Sequence, residues 1–387
     1  MRQQLYRNLT TELQRRLPGA SKPQVSNLAL LTQALVFSPD CHLANLALEL
    51  PIAGQRESLI QRLDRFLANS QLRRRVHYLP LVRQLLKSWP DREVNLLLDR
   101  TDLGQERSIL LLALAFGHRA IPLTWRVLPF GGTGAELQLT LLKEIAPLLP
   151  KSAQKRIMVL GDSEFRAVEV QRYCRGQGWG LGVKSDTLYH GGDGKWQALA
   201  TIAIEPGQRR YLHELTLTQK AAFGPVHLLV DWTDQTDSPR YLVCHQPTSR
   251  HTWRWGRKRF WIEPLFRDWK SYGFDLEASQ LEDEQRLDHL LLGFSVATLW
   301  LLLLGRGLGS ASLVASQPSS RLQPVPLGAR LCPPQSILWL ALAHLFATLT
   351  GNCLSQPRSP LGLVRDCCGC TSRRPTANGP RPDLSAD

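Results

Sequence analysis

Two short apolar runs, each closed by an aspartate, constrain this chain more than any other feature. The first reads Val94-Asn95-Leu96-Leu97-Leu98-Asp99-Arg100-Thr101 and the second Arg156-Ile157-Met158-Val159-Leu160-Gly161-Asp162-Ser163-Glu164-Phe165. Runs of four or five apolar residues are too short for an ordinary helix and have the unbroken hydrophobicity of strands buried on both faces. An acid placed directly after such a strand falls where open α/β sheets build their ligand sites. Taken singly, each aspartate is also a good turn former, and Asp162 stands where it would cap a helix beginning near Glu164.

A third acid sits in Arg259-Phe260-Trp261-Ile262-Glu263-Pro264-Leu265-Phe266-Arg267-Asp268-Trp269-Lys270. Arg259 precedes Glu263 by four residues and Lys270 follows it by seven. On a helical wheel the three fall at about 0°, 40° and 20°, so one face would carry a carboxylate between two cations. That set suits a metal-bound phosphodiester, the acid holding the metal and the cations gripping phosphate oxygens. An exposed helix laced with ion pairs is the other reading of the same spacing. Pro264 follows Glu263 directly, which predicts a helix starting near Ile262 with proline in its first turn and Arg259 just ahead of it.

Asp99 with Thr101, the turn from Gly161 through Asp162 to Phe165, and the Arg259/Glu263/Lys270 spacing together resemble the catalytic signature of the DDE transposases of bacterial insertion sequences. The nearest group is the insertion-sequence-four type, whose third motif runs Tyr, two residues, Arg, three, Glu, six, Lys. Here Gly256 stands at the tyrosine position, and the continuation from Ser271 to Glu277 is similar to the family's. The resemblance spans about 94–304. It implies that Asp99, Asp162 and Glu263 are the catalytic acids and hold two Mg²⁺ ions, for which Mn²⁺ can substitute. Arg259 and Lys270 would orient the phosphate at the cleaved end. Asp102 is the rival first acid and Glu277 the rival third.

The order strand, strand, strand, helix, strand, helix over 95–186 fits an RNase H-like core, with strands expected at 108–116, 121–128 and 157–160 and helices at 136–149 and 164–175. Asp162 and Glu263 are 101 residues apart, against 63 between the aspartates. An insertion is therefore expected, and its runs at 196–204, 210–217, 226–232 and 240–244 read as strands between Gly, Pro and Asp clusters. The expected fold class is α/β: an RNase H-like mixed sheet flanked by helices, with a β-rich insertion and an N-terminal helical domain. The corresponding segments are 1–88 (helical), 89–186 and 251–305 (core), 187–250 (insertion) and 306–387 (a Pro/Ser/Gly/Arg-rich tail).

Lys and Arg exceed Asp and Glu by 47 to 33, a net charge of +14, which suits a polyanionic partner. The candidate DNA contacts are Arg254, Trp255, Arg257 and Lys258, where cations alternate with indole rings, and Arg73, Arg74 and Arg75 near the end of the helical segment. By resemblance the partners are double-stranded DNA, both terminal inverted repeats and target, with a homodimer pairing two ends. Membrane is not expected, since the opening Met1-Arg-Gln-Gln-Leu-Tyr-Arg lacks a signal-peptide core and the apolar stretches at 290–304 and 337–349 are too short to span a bilayer. A bacterial, nucleoid-associated cytoplasmic protein is the expected setting. The cysteines form no zinc pattern, the cluster Cys367, Cys368 and Cys370 having no second pair nearby. Gly131-Gly132-Thr133-Gly134 lacks the lysine of a phosphate loop and reads as a turn. Two alternatives stay open: an RNase H-like endonuclease without strand transfer, and a catalytically decayed DNA-binding remnant.

Overall fold

The computed structural model describes residues 2–89, 93–151, 156–184, 187–192, 195–233 and 237–315. Expectations for the tail beyond 315, including its cysteines and the apolar stretch at 337–349, lie outside the described residues. Residues up to Leu302 form one unit, and the chain from Leu303 onward forms another. Of that second unit only the end of the last helix is described.

Six helices come first: α1 (Arg2–Arg16), α2 (Lys22–Phe37), α3 (Leu43–Leu48), α4 (Arg56–Leu67), α5 (Arg74–His77) and α6 (Leu79–Lys87). Helix α2 shows why this stretch is helical. Ser21 accepts from the Gln24 backbone N–H while the Gln24 side chain accepts from the Ser21 N–H, a reciprocal cap on two otherwise unsatisfied donors. Pro23 sits in the first turn, and ten residues from Val25 to Phe37 are buried. The long helix α11 (Glu284–Ala315) crosses α2 closely at Gly293, where a Cβ would meet Leu31 Cδ2 at 2.7 Å. Its 290–302 face is core, and no helix among the described residues is long and apolar enough to cross a membrane.

The sheet begins with β1 (Glu93–Leu103), β2 (Arg107–Phe116) and β3 (Arg119–Pro129), an antiparallel meander whose middle strand is buried at eight of ten positions. Helix α7 (Ala135–Ile145) leads to β4 (Arg156–Gly161), which pairs parallel with β1, and α8 (Val168–Gly176) leads to β5 (Gly180–Lys184), parallel with β4. The succession of three strands, helix, strand, helix is the one expected from the sequence for an RNase H-like core, and in the sheet these strands lie in the order β3-β2-β1-β4-β5. The insertion supplies β6 (Leu188–His190), β7 (Trp196–Ala198), β8 (Arg209–Leu217), β9 (Phe223–Asp231) and β10 (Arg240–Cys244). These strands extend the same sheet, β10 pairing antiparallel with β5, to give ten strands in the order β3-β2-β1-β4-β5-β10-β9-β8-β6-β7. The fold is therefore mixed α/β with a β-rich insertion joined to the core sheet edge to edge.

Two local expectations are corrected. Asp99 does not end the first strand: β1 continues four residues further, with Arg100 to Leu103 pairing Leu110 to Arg107. The third motif is not one regular helix either. Helix α9 (Thr252–Arg259) passes through a 3₁₀ turn (Phe260–Ile262) into α10 (Glu263–Arg267) and then a π turn (Asp268–Tyr272). Glu263 opens α10 with Pro264 in its first turn, as the proline predicts, so Arg259 reaches the site from the end of α9.

Candidate active site

The parallel register of β1 and β4 pairs Leu98 with Gly161. Asp99 on β1 and Asp162 just past the end of β4 therefore follow directly on a paired position of neighbouring strands, whose backbones run about 4.8 Å apart. Gly161 lets Phe165 pack back onto the strand end, because a Cβ there would meet the Phe165 ring at 3.0 Å. Beyond Asp162 the chain turns at once into a 3₁₀ helix (Ser163–Phe165), which the aspartate caps through Ser163 N–H and Ser163 Oγ. The N-cap reading of Asp162 holds alongside its place in the site, since the cap occupies Oδ1 and leaves Oδ2 facing Arg259 at 3.1 Å.

Burial pushes the Asp99 carboxyl up to about 6 from an ordinary 3.8. The Arg100 backbone N–H, which it accepts at 2.8 Å, and the Arg259 guanidinium pull the other way, while the charges of Asp162 and Glu263 push it further up. Two acids far apart in sequence thus act on the Asp99 carboxyl electrostatically, and Arg259 is bonded to one of them, Asp162. Glu263 is exposed. The rival acids are engaged by other partners: Asp102 pairs with Arg100 at 2.8 Å and accepts from Ser108 Oγ at 2.7 Å, and Glu277 lies 3.8 Å from Lys270.

The donors are all carboxylate oxygens, the ligands a hard divalent cation such as Mg²⁺ takes, and a cluster that resists full ionisation gains most from a bound cation. The residues fit that group in kind. Among the described residues, however, no three acidic, His or Cys side chains are drawn together as a ready-made metal cage. Arg259 is engaged with Asp162 Oδ2, so guanidinium and metal would compete for that oxygen.

Lys270 donates to the Asp102 carbonyl at 2.6 Å, which brings it to the same end of β1 as the acids. The turn carrying it is fixed from two sides. Trp269 Nε1 donates to Thr298 Oγ1 on α11 at 3.2 Å, and Asp268 pairs with Arg119 of β3 at 2.5 Å. The Arg119 side chain is only 4 % exposed, and burial pushes Asp268 up to about 6 despite that partner. Nothing in the sequence links Arg119 to Asp268, which are separated by 149 residues. Arg119→Ala leaves the carboxylate buried without its hydrogen-bonded partner, and urea unfolding is expected to show a loss of about 3 kcal/mol.

The basic run divides between different surroundings. Trp253 is half-buried and meets three guanidinium groups, Arg209 at 4.8 Å, Arg257 at 5.4 Å and Arg254 at 6.0 Å from the ring centre. Arg254 and Arg257 are exposed, whereas Lys258 is paired with Glu93 at 2.9 Å. Trp255, expected as a DNA contact, is 7 % exposed, so its ring packs α9 against the core and cannot lie flat on a base. Gly256, at the tyrosine position of the resemblance, has Leu242 as its nearest neighbour, 3.5 Å from where a Cβ would lie. Of the Arg73–Arg75 run, Arg73 and Arg75 are exposed but Arg74 is not. Arg74 stacks on Trp125 at 5.0 Å, donates to the Trp125 carbonyl and pairs with Asp288 at 3.2 Å, tying α5 to β3 and α11. It is a structural pin, not a phosphate contact.

One network escaped the sequence reading. Arg100 bridges Asp102 and Glu164 and donates to the Gly131 carbonyl at 2.5 Å, while Glu164 accepts from Thr133 N–H at 3.0 Å and Thr133 Oγ1 at 2.8 Å. The turn at 131–134 is thereby braced beside the acids. Glu164 stood in the second motif, but no spacing rule points from it to Thr133.

No family model matches the chain, and no curated protein matches it. Among solved structures it is similar to a piggyBac transposase in a synaptic complex with hairpin DNA, seen by cryo-electron microscopy. The identity is 9 %, over 96 % of this chain and 84 % of that one, with a TM-score of 0.43. A likeness so slight leaves the function to the site's own geometry.

Proposed function

We propose that the chain is a metal-dependent transposase of the insertion-sequence-four type, cutting DNA at the ends of its element and joining them to a target. What supports this reading is the placement of Asp99 and Asp162 just past the paired Leu98 and Gly161, with Arg259 at 3.1 Å from Asp162 and the charge of Glu263 acting on Asp99. Asp99, Asp162 and Glu263 would hold the two Mg²⁺ ions, with Mn²⁺ as a substitute. Bound by these carboxylates, the ions would supply Lewis acidity at the attacking and leaving oxygens of an in-line displacement. The rest falls to the chain's own groups. Arg259, at the end of α9, would offer a planar N–H fork to phosphate oxygens, and Lys270, held against the Asp102 carbonyl, a point charge at the same end of β1. Arg254 and Arg257, exposed beside Trp253, extend the cationic surface along α9. A dimer pairing two DNA ends, in a bacterial nucleoid, completes the proposal.

The second reading, a decayed DNA-binding remnant, is favoured by two specific features. Gly256 supplies no hydroxyl, and Arg259 already fills the carboxylate oxygen of Asp162. Linear DNA carrying the inverted repeats that flank the coding sequence separates the two. With Mg²⁺, repeat-specific nicking and a joined product are expected from the wild type. Binding without nicking establishes the remnant, and cutting of arbitrary duplex without joining establishes an endonuclease.

A further inference from the structure

The ladder joining β1 to β4 runs out at the pair Leu98 and Gly161, one residue before each aspartate. The charge of Asp162 disfavours ionisation of Asp99, and like charges at two strand ends push those ends apart. A side-chain bond just beyond the acids opposes that push: Arg100 Nε donates to Glu164 Oε2 at 3.2 Å. Arg100 is the residue after Asp99, and Glu164 is two residues after Asp162. Each end of the bond is tied to its own aspartate. On β1, Asp99 Oδ1 accepts the Arg100 backbone N–H at 2.8 Å. Across from it, Asp162 Oδ1 caps the 3₁₀ turn that carries Glu164, and the Asp162 carbonyl accepts from Phe165 N–H at 3.0 Å. Neither member of the pair is free to swing. Arg100 Nη1 donates to Asp102 Oδ1 at 2.8 Å and to the Gly131 carbonyl at 2.5 Å. Glu164 gives its other oxygen, Oε1, to Thr133 N–H at 3.0 Å and Thr133 Oγ1 at 2.8 Å.

We propose that Arg100 and Glu164 form a clamp that sets the spacing of Asp99 and Asp162 and so fits that pair of carboxylates to Mg²⁺. This rests on the metal-dependent reading above and adds two positioning residues to it. Mg²⁺ demands near-octahedral oxygens at about 2.0–2.1 Å, whereas Ca²⁺ accepts irregular sets at about 2.3–2.6 Å. Carboxylates whose spacing loosens therefore lose Mg²⁺ before they lose Ca²⁺. Removing the bonds that orient a metal's ligands costs about 10- to 100-fold in affinity. This clamp acts at one residue's remove from the ligands, which places its effect at the lower end of that range.

The test uses the full chain without DNA, its urea midpoint titrated with Mg²⁺ and separately with Ca²⁺ to give the concentration of each that produces half the full stabilisation. Glu164→Gln is the decisive variant, because the amide oxygen still accepts from Thr133 while the amide NH₂ facing Arg100 cannot accept. Its half-stabilising Mg²⁺ concentration is expected to rise about tenfold and that of Ca²⁺ by less than about threefold. Repeat-end cleavage by the same variant is expected to return to within a few-fold of wild type once Mg²⁺ is raised to match. Arg100→Lys keeps the cation without the fork and is expected to shift Mg²⁺ the same way by about threefold. The same two titrations of that variant decide the matter if Glu164→Gln fails to fold. Glu144→Gln removes the charge from a comparable pair, with Arg126 at 3.2 Å between α7 and β3, and is expected to lower stability without moving either cation's titration. Glu164→Gln behaving like that control overturns the inference alone, leaving the pair a structural role. Equal weakening of Mg²⁺ and Ca²⁺ overturns it too, since Glu164 would then act by its charge and not by placing the aspartates. A wild type that gains no stability from either cation removes the metal-dependent reading and this inference together.

Discussion

Asp99→Asn, Asp162→Asn and Glu263→Gln are each expected to lower repeat-end cleavage on the order of 10³-fold or more while leaving DNA affinity within a few-fold. The expectation comes from what each group does. A carboxylate that holds a cation at the reacting phosphorus acts only when charge develops there, so its loss falls on the rate and not on ground-state binding, which the proposed function assigns to Arg254, Arg257 and Lys270. The three should also behave as a unit. If Asp99 and Glu263 serve one charge cluster, the double variant Asp99→Asn/Glu263→Gln should be little worse than either single one, because the first loss already disables the cluster. Additive losses would mean independent roles. Equal cutting by wild type and Glu263→Gln would remove Glu263 from the site and turn attention to Glu277, which lies 3.8 Å from Lys270. Arg259→Ala provides the contrast. It frees Asp162 Oδ2, so the requirement for Mg²⁺ should fall to lower concentration even as turnover drops for want of a phosphate ligand. A cleavage titration against Mg²⁺ reads both effects.

What the sequence made legible follows from which signals are local. The strands were readable because the runs at 94–98 in β1 and 157–160 in β4 are short and largely apolar, and the acids because they close those runs. Proline at 264 placed the start of α10 correctly, a steric rule that needs no tertiary context. The extension of β1 past Asp99 was not readable, since Arg100, Thr101 and Asp102 look like loop residues. They stay in the strand because Arg100 is neutralised by Asp102 and Glu164 and because β2 offers a full-length partner. The choice between Trp253 and Trp255 is also beyond composition. They sit two residues apart on α9, on different faces, and only the packing of the helix on the sheet decides which ring is buried. Arg73, Arg74 and Arg75 pose the same problem: three identical side chains, one of them sunk onto Trp125. Long-range charge pairs such as Arg119 with Asp268 leave no periodic trace at all.

Replacing Asp99 with Asn is further expected to stabilise the folded chain at neutral pH, a gain that grows with pH and marks the site as strained for function. The Asp99 carboxyl is held at about 6 in the fold against 3.8 in an open chain. Below pH 3.8 it is protonated in both states and contributes nothing. Between 3.8 and 6 the unfolded chain ionises while the folded one keeps its proton, so stability falls as pH rises. Above 6 both are ionised and the whole penalty stands, up to about 3 kcal/mol for a shift of that size. Asn keeps the acceptor for the Arg100 N–H without the buried charge, though it forfeits attraction to Arg259. Asp268 is also pushed up to about 6, but it is present in both proteins and cancels in their difference. Urea midpoints measured from pH 4 to 7 should therefore coincide at the acid end and diverge by pH 6, with the variant more stable. A difference that does not change with pH would show that Asp99 is not strained by burial and its neighbours. Mg²⁺ supplies an independent arm: a cation bound by native Asp99 stabilises the wild type in proportion to its occupancy and should narrow the gap, whereas the variant should respond far less. A site whose unfavourable charge is relieved by its own metal and by Asn alike has given up stability at the position where the chemistry needs a carboxylate.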